Sequence, residues 1–297
     1  MKILITGGSG LLGQYLNIFL SKDNDILTVY NNNAGNCLNF NNAKLDITNF
    51  VAVSDLLGKY RPDAVVHCAG FTRPEACNAD NKKEVYLSNV EAVKYLAELC
   101  DRFNSKLIFT STDLVYDGNE GSMLEEDSKL NPVTMYAETK LQAEEMIKNT
   151  FDNYIILRTS LLIGLGLNHA KTNFHLMYKN LKEGISPKLF SDQYRTPFSL
   201  INASEIICGL VKPEIKNITF NFGGKDRVSR VELGEIVCRI AGFDKSLIDR
   251  ISMFDIQGFP AVRDVSLNTK KLQSYGFYIK SIDEAISEIL DSKDKYK

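Results

Sequence analysis

Tryptophan is absent from this sequence, and histidine occurs only three times in 297 residues. The first absence removes the indole as a stacking surface for a ligand. The second leaves the six cysteines, at positions 37, 68, 77, 100, 208 and 238, without histidines at metal-ligand spacing, and no two cysteines form a Cys-x-x-Cys pair. Neither a metal site nor a disulfide framework is expected. Reduced, buried thiols in a cytoplasmic protein are expected instead. An excess of charge of one sign is also missing, with a net charge of -2, so no basic field draws nucleic acid or an anionic membrane. Long apolar runs are missing too. The first one breaks at Gly7, which is too short for the core of a secretory leader, and none approaches the roughly 20 residues of a membrane span. The hydrophobic content of 44% is ample for a large core.

Short β-branched runs alternate with longer amphipathic stretches through the first half. Their pattern predicts strands at 2–6, 25–30, 43–46, 64–68, 106–110 and 154–158, and helices at 11–20, 50–60, 83–103 and 133–149. Such alternation predicts an α/β fold of Rossmann type, a doubly wound parallel sheet with helices on both faces. Beyond Ser160 the rhythm loosens. Helices are expected at 173–183, 203–211, 231–241 and 282–290, and a strand at 218–222. We read residues 1–160 as a dinucleotide-binding domain to which 198–223 return. Residues 161–197 and 224–297 then form a smaller C-terminal substrate lobe.

A glycine-rich turn, Gly7-Gly8-Ser9-Gly10-Leu11-Leu12-Gly13, follows the first strand and opens the first helix. Gly7, Gly10 and Gly13 suit a tight turn, close approach to a pyrophosphate and helix–strand packing, each of which needs a missing Cβ. The N–H groups of the helix start, Leu11 included, offer donors and a positive dipole to phosphate. At the end of the second strand, where an acid would bind a ribose 2′-hydroxyl, stand Tyr30, Asn31 and Asn32. Asn31 could hydrogen-bond a ribose or tolerate a phosphate, so NAD and NADP both stay open. Asp46 could accept from an adenine amino group or simply hold a turn. Cys68-Ala69-Gly70 at the end of the fourth strand are small enough for a ligand to approach the backbone. His67 reads as a satisfied core histidine.

The chemistry-bearing pair is Tyr136 and Lys140. Positions i and i+4 share one helix face, and an ammonium near a phenol favours its ionised form. Bringing a tyrosine from about 10 to near neutrality takes roughly 4 kcal/mol of differential stabilisation, and yields a proton donor for carbonyl reduction. A hydroxyl from Thr110-Ser111-Thr112, closing the fifth strand, could orient the carbonyl. Asp113 is either a turn residue or a helper.

These residues make the chain resemble an extended short-chain dehydrogenase/reductase, and more closely the dTDP-4-dehydrorhamnose reductase group. The resemblance is carried by Ser111-Thr112-Asp113-Leu114-Val115-Tyr116-Asp117-Gly118, by Asn131-Pro132, by Tyr136-Ala137-Glu138-Thr139-Lys140-Leu141 and by Leu157-Arg158-Thr159-Ser160. Asp192-Gln193 and Arg263, Ser266-Leu267-Asn268 and Lys271-Leu272 extend it towards the C-terminus. It implies that Thr112, Tyr136 and Lys140 are the catalytic set, with Lys140 also holding the nicotinamide ribose. It implies that Gly7, Gly10, Leu12, Gly13, Asp46, Ile47, Ala69 and Gly70, with Leu11, Asn31 and Cys68 beside them, line an NADP or NAD cofactor. Asn89 matches a helix asparagine that organises the site. Thr72, Asp113, Arg195 and Arg263 would face a nucleotide-sugar substrate, and a homodimer is allowed.

The chain departs from the group on the substrate side. Leu161 stands where an aromatic often follows Arg-Thr-Ser, Tyr194-Arg195-Thr196-Pro197-Phe198 replaces a Gly- and Thr-bearing loop, and Arg263-Asp264 replaces Arg-Pro. The expected activity is reduction of a 4-keto-deoxysugar nucleotide. Alternatives are a nucleotide-sugar epimerase and a non-catalytic regulatory subunit like that of methionine adenosyltransferase. Dehydration is disfavoured, because Leu114 occupies the position of the dehydratases' glutamate.

Overall fold

A computed structural model describes residues 1–72 and 74–295. Six strands come from the first half: β1 (Lys2–Thr6), β2 (Asp25–Tyr30), β3 (Asn42–Lys44), β4 (Ala64–His67), β5 (Lys106–Thr112) and β6 (Tyr154–Thr159). The strand Ile218–Phe222 returns from the second half and joins the sheet beside β6. All seven are parallel, in the order Ile218–Phe222, β6, β5, β4, β1, β2, β3. The chain therefore leaves β1 in one direction and, after β3, resumes on its other side at β4. That reversal opens a crevice at the carboxyl ends of β1 and β4, the place where doubly wound sheets bind ligands.

The strands read as nearly continuous apolar runs because both faces are covered. Ile3 and Ile5 of β1 pack on one face with α1 (Leu11–Leu20) and the helix Leu200–Leu210. Leu4 packs on the other with α2 (Phe50–Tyr60) and the helix Ala92–Phe103. Each such side chain contributes about 1.5–3 kcal/mol when buried, which outweighs the few tenths that separate residue propensities.

Three elements differ from expectation. β3 is shorter and ends at Lys44, which places Asp46 in the following turn. The long helix near 83–103 is interrupted by a π-helical turn, Leu87–Glu91, that contains Asn89. β5 runs two residues further than expected and delivers Thr112 as its last member. In the second half, three two-stranded ribbons pair 162–163 with 198–199, 188–190 with 249–251, and 194–195 with 228–229. Ribbons of two or three residues carry no periodicity that a sequence could display.

Candidate active site

The glycine turn is built for contact. Gly7 has φ +68°, and a Cβ there would lie 2.7 Å from the Cys68 carbonyl carbon and the Ala69 nitrogen, so β1 and β4 end against each other. A Cβ on Gly13 would lie 2.2 Å from the Gly7 oxygen. Gly10 caps α1 without a side-chain hydrogen bond, and no acidic residue stands in its first turn. The N–H groups beside Leu11 and Leu12 are thus left for an external acceptor. Gly8, not singled out in the sequence, is equally constrained: a Cβ would sit 1.7 Å from the Thr28 hydroxyl. This cradle, closed by three glycines and open at a helix start, fits the pyrophosphate of a dinucleotide.

At the adenosine end, Asn31 is exposed just past β2 and its amide donates to Asp46 Oδ2 at 3.4 Å. Asp46 Oδ1 accepts from the Thr48 N–H and hydroxyl at 2.9 and 2.8 Å, so the residue holds a turn with one oxygen and Asn31 with the other. Ile47 and Leu45 line a water-sized cavity with Thr6 and His67 beneath this edge. His67 is a core residue but not the satisfied one expected: Nδ1 bonds the Thr6 hydroxyl at 2.7 Å, Nε2 is buried without a hydrogen-bond partner among the described residues, and burial lowers its pKa to about 3, Lys140 adding to the effect. Cys68 is half-buried, and its thiol is pushed up to about 12 by burial, against the pull of Lys140 and Thr110.

The helix Met135–Thr150 delivers the pair. Thr134 caps it, its hydroxyl accepting from the Ala137 N–H at 3.2 Å. Tyr136 and Lys140 are both buried, 8% and 6% exposed, on the face that meets the sheet. Thr112 is the neighbour that favours ionisation of the Tyr136 phenol. Lys140 lies one turn further on, its Nζ 4.0 Å from the ring centre of Phe109 in β5 and within the field of Cys68. The two side chains thus address the same carboxyl edge, Tyr136 at β5 and Lys140 at the β4 side.

One expectation fails here. Burial raises the Tyr136 pKa, Asp113 and Cys77 add to it, and only Thr112 lowers it. Lys140 is itself held down to about 7 by burial, opposed by Cys68 and Glu144. The charges that act on Tyr136 are those of Asp113 and Cys77, not that of Lys140, so the ammonium does not acidify the phenol in this structure.

Asn89 connects these parts. Its Oδ1 accepts from the Phe71 N–H at 2.8 Å, and its amide donates to the Phe71 carbonyl at 3.1 Å and the Thr139 hydroxyl at 3.2 Å. Thr139 in turn donates to the Tyr136 carbonyl at 2.8 Å. Gly70, with φ +136°, has no room for a Cβ, which would lie 2.6 Å from Asn89 Oδ1. The π turn, a distortion common at functional sites, is what lets Asn89 clamp the loop after β4 to the Tyr136 helix.

On the substrate side, Asp113 is buried. Its Oδ2 accepts from Ser160 at 3.1 Å and lies 3.5 Å from Arg195 Nε, and its Oδ1 lies 3.3 Å from the Thr112 hydroxyl. Burial raises its pKa, opposed first by Arg195. Arg195 is thus brought to the site. Arg263 is exposed, and its carbonyl accepts from the Tyr194 N–H at 2.8 Å. Thr72 is exposed in the loop after β4. Sequence reasoning missed Arg230, whose charge also acts on Asp113, and Ser160. Arg230 gave no signal because it reaches the site only through the 194–195/228–229 ribbon.

A glycine turn at the end of β1, facing a Tyr-x-x-x-Lys helix across the ends of β4 and β5, is the arrangement of the extended short-chain dehydrogenases/reductases. Within that class, the family model described as the RmlD substrate binding domain matches residues 1–294, and the chain belongs to this family. It is 28% identical over 265 residues to a Haloferax volcanii protein described as a probable low-salt glycan biosynthesis reductase, covering 89% of this chain and 87% of that one. It is 28% identical over 254 residues to the dTDP-4-dehydrorhamnose reductase of Aggregatibacter actinomycetemcomitans, covering 84% and 81%. The crystal structure of a Bacillus anthracis dTDP-4-dehydrorhamnose reductase in complex with NADP superposes with a TM-score of 0.84 at 23% identity, covering 98% and 99% of the two chains. No helix among the described residues is long and apolar enough to cross a membrane.

Proposed function

We propose that this chain is an NAD(P)H-dependent reductase of a nucleotide-linked 4-keto-deoxysugar, similar to dTDP-4-dehydrorhamnose reductase. The observation that carries this reading is the joint burial of Thr112, Tyr136 and Lys140, with Thr112 closing β5 and Tyr136 and Lys140 one turn apart on the helix Met135–Thr150. The Gly7, Gly10, Leu11, Leu12 and Gly13 turn and the Ala69-Gly70 edge hold the dinucleotide, with Asn31, Asp46 and Ile47 at its adenosine end. A reduced nicotinamide, when bound, supplies the hydride for the carbonyl carbon. Thr112 orients the carbonyl oxygen and Tyr136 protonates it. Lys140 holds the nicotinamide ribose. Burial keeps Tyr136 protonated until a carbonyl oxygen begins to carry charge, and proton transfer of this kind is worth roughly 10²–10⁴-fold. Two relatives are reductases and one solved neighbour holds NADP, which supports the reading.

The test is to incubate the protein with NADH or NADPH and a panel of nucleotide 4-ketosugars and to follow the reduced-nicotinamide absorbance. Loss of absorbance with one sugar supports the proposal. No loss with any of them, together with interconversion of sugar epimers, favours an epimerase instead.

A further inference from the structure

Three guanidiniums gather around two carboxylates at the substrate side. Arg227 pairs with Asp264 at 2.7 Å and stacks over the Tyr194 ring at 3.7 Å. Arg195 lies between Asp113 and Asp264 and donates to the Tyr194 carbonyl at 2.8 Å. Arg230 is different. Its Nε donates to Gln193 Oε1 at 3.0 Å, but among the described residues its two terminal nitrogens have no hydrogen-bond acceptor. Arg195 repels it and only Asp113, already shared, attracts it. The side chain is half-buried. A cation so placed is costly unless a partner arrives, and the Gln193 contact fixes the guanidinium with its outer edge unpaired.

We propose that Arg230 is the receptor for an anionic group of the substrate, a pair of carboxylate or phosphate oxygens held on the Gln193–Arg195–Asp113 side of the site. The fork of a guanidinium matches two such oxygens. Asp113 links this side to Thr112, touching Arg195 on one oxygen and Thr112 on the other. The proposal rests on the reductase reading for the position of the substrate. It makes Arg230 a specificity-determining residue: keto-sugars lacking the anion bind poorly.

The experiment is calorimetric titration of the NADPH-loaded protein with dTDP, D-glucuronate and, as an uncharged control, D-glucose. Wild type is compared with Arg230→Gln and Arg230→Lys. The expected result is that at least one anion binds wild type and that Arg230→Gln weakens it by roughly 30-fold or more, with NADPH affinity unchanged. Arg230→Lys recovers part of the loss, because an ammonium lacks the fork. An effect on dTDP identifies the anion as the diphosphate, and an effect on glucuronate alone identifies a sugar carboxylate. Binding within about threefold of wild type in Arg230→Gln, or no anion bound by wild type, overturns the proposal. If Arg230→Gln does not fold, Arg230→Lys alone decides, with unchanged affinity overturning it. None of these titrations needs turnover. Arg230-dependent binding in a protein that never oxidises NADPH keeps this inference and rejects the reductase reading.

Discussion

Thr112, the last residue of β5, stands close enough to Tyr136, the second residue of the helix Met135–Thr150, to act on its phenol. The threonine hydroxyl accepts from the Leu114 N–H at 3.2 Å. It is thus held at a fixed height above the sheet edge and can pass Tyr136 to a carbonyl oxygen. In Tyr136→Phe the proton donor is gone while the cofactor cradle is untouched. Turnover should fall by roughly 10²-fold or more, with NADPH affinity kept. Steady-state kinetics beside a fluorescence titration check this. A variant that turns over within a few-fold of wild type contradicts the role.

Lys140 gives a pH prediction. Burial holds its pKa at about 7, below the ordinary 10.5. Between these values the unfolded chain binds the proton and the folded chain does not. Stability therefore rises with pH across that window, and the penalty is at its full size below about 7. If the charged ammonium holds the ribose, NADPH affinity falls as pH rises through about 7. Titrations from about pH 6 to about pH 9 should show this slope in wild type and none in Lys140→Met. A flat wild-type profile removes the role.

Gly13→Ala tests the cradle. The added methyl meets the Gly7 oxygen at 2.2 Å, and backbone cannot swing away as a side chain does. We expect destabilisation of about 1–3 kcal/mol and loss of most NADPH affinity, read by denaturant melts and by titration. Gly184→Ala is the control for a tolerant position in space, since nothing lies within 4 Å of its Cβ, though its φ of +71° carries some backbone strain.

Beneath the site, Glu144 and Arg158 form a buried ion pair at 2.9 Å, and Ser111 donates to the same glutamate at 2.5 Å. Arg158 also donates to the Tyr116 hydroxyl at 2.9 Å and the Glu126 carbonyl at 2.8 Å. Arg158→Met leaves the buried Glu144 with the Ser111 hydroxyl and a more distant, partly exposed Lys148 at 3.6 Å. The cost should be about 3–5 kcal/mol, visible as a lowered thermal midpoint. A shift equal to that of a surface substitution contradicts it.

The sheet was legible because buried strands write themselves as apolar runs: β1, β2 and the strand Ile218–Phe222 fall where the sequence places them. That Tyr136 and Lys140 share a buried helix face was legible because an i, i+4 spacing survives folding intact. The acidity of Tyr136 was not, because spacing predicts proximity but says nothing of burial, which here dominates the charge. The π turn at Asn89 depends on the Phe71 and Thr139 contacts, both far away in sequence. Arg230 and Ser160 reach Asp113 through a two-residue ribbon and a strand end, where no local pattern exists.

The most direct measurement follows the label. The protein is given NADPH deuterated at the transferring position of the nicotinamide, with the nucleotide 4-ketosugar on which it is active, and the product is examined by NMR. The account predicts one deuterium at the sugar C4 in wild type and none above background in Tyr136→Phe. A reduced or epimerised product that carries only solvent hydrogen at C4 contradicts it.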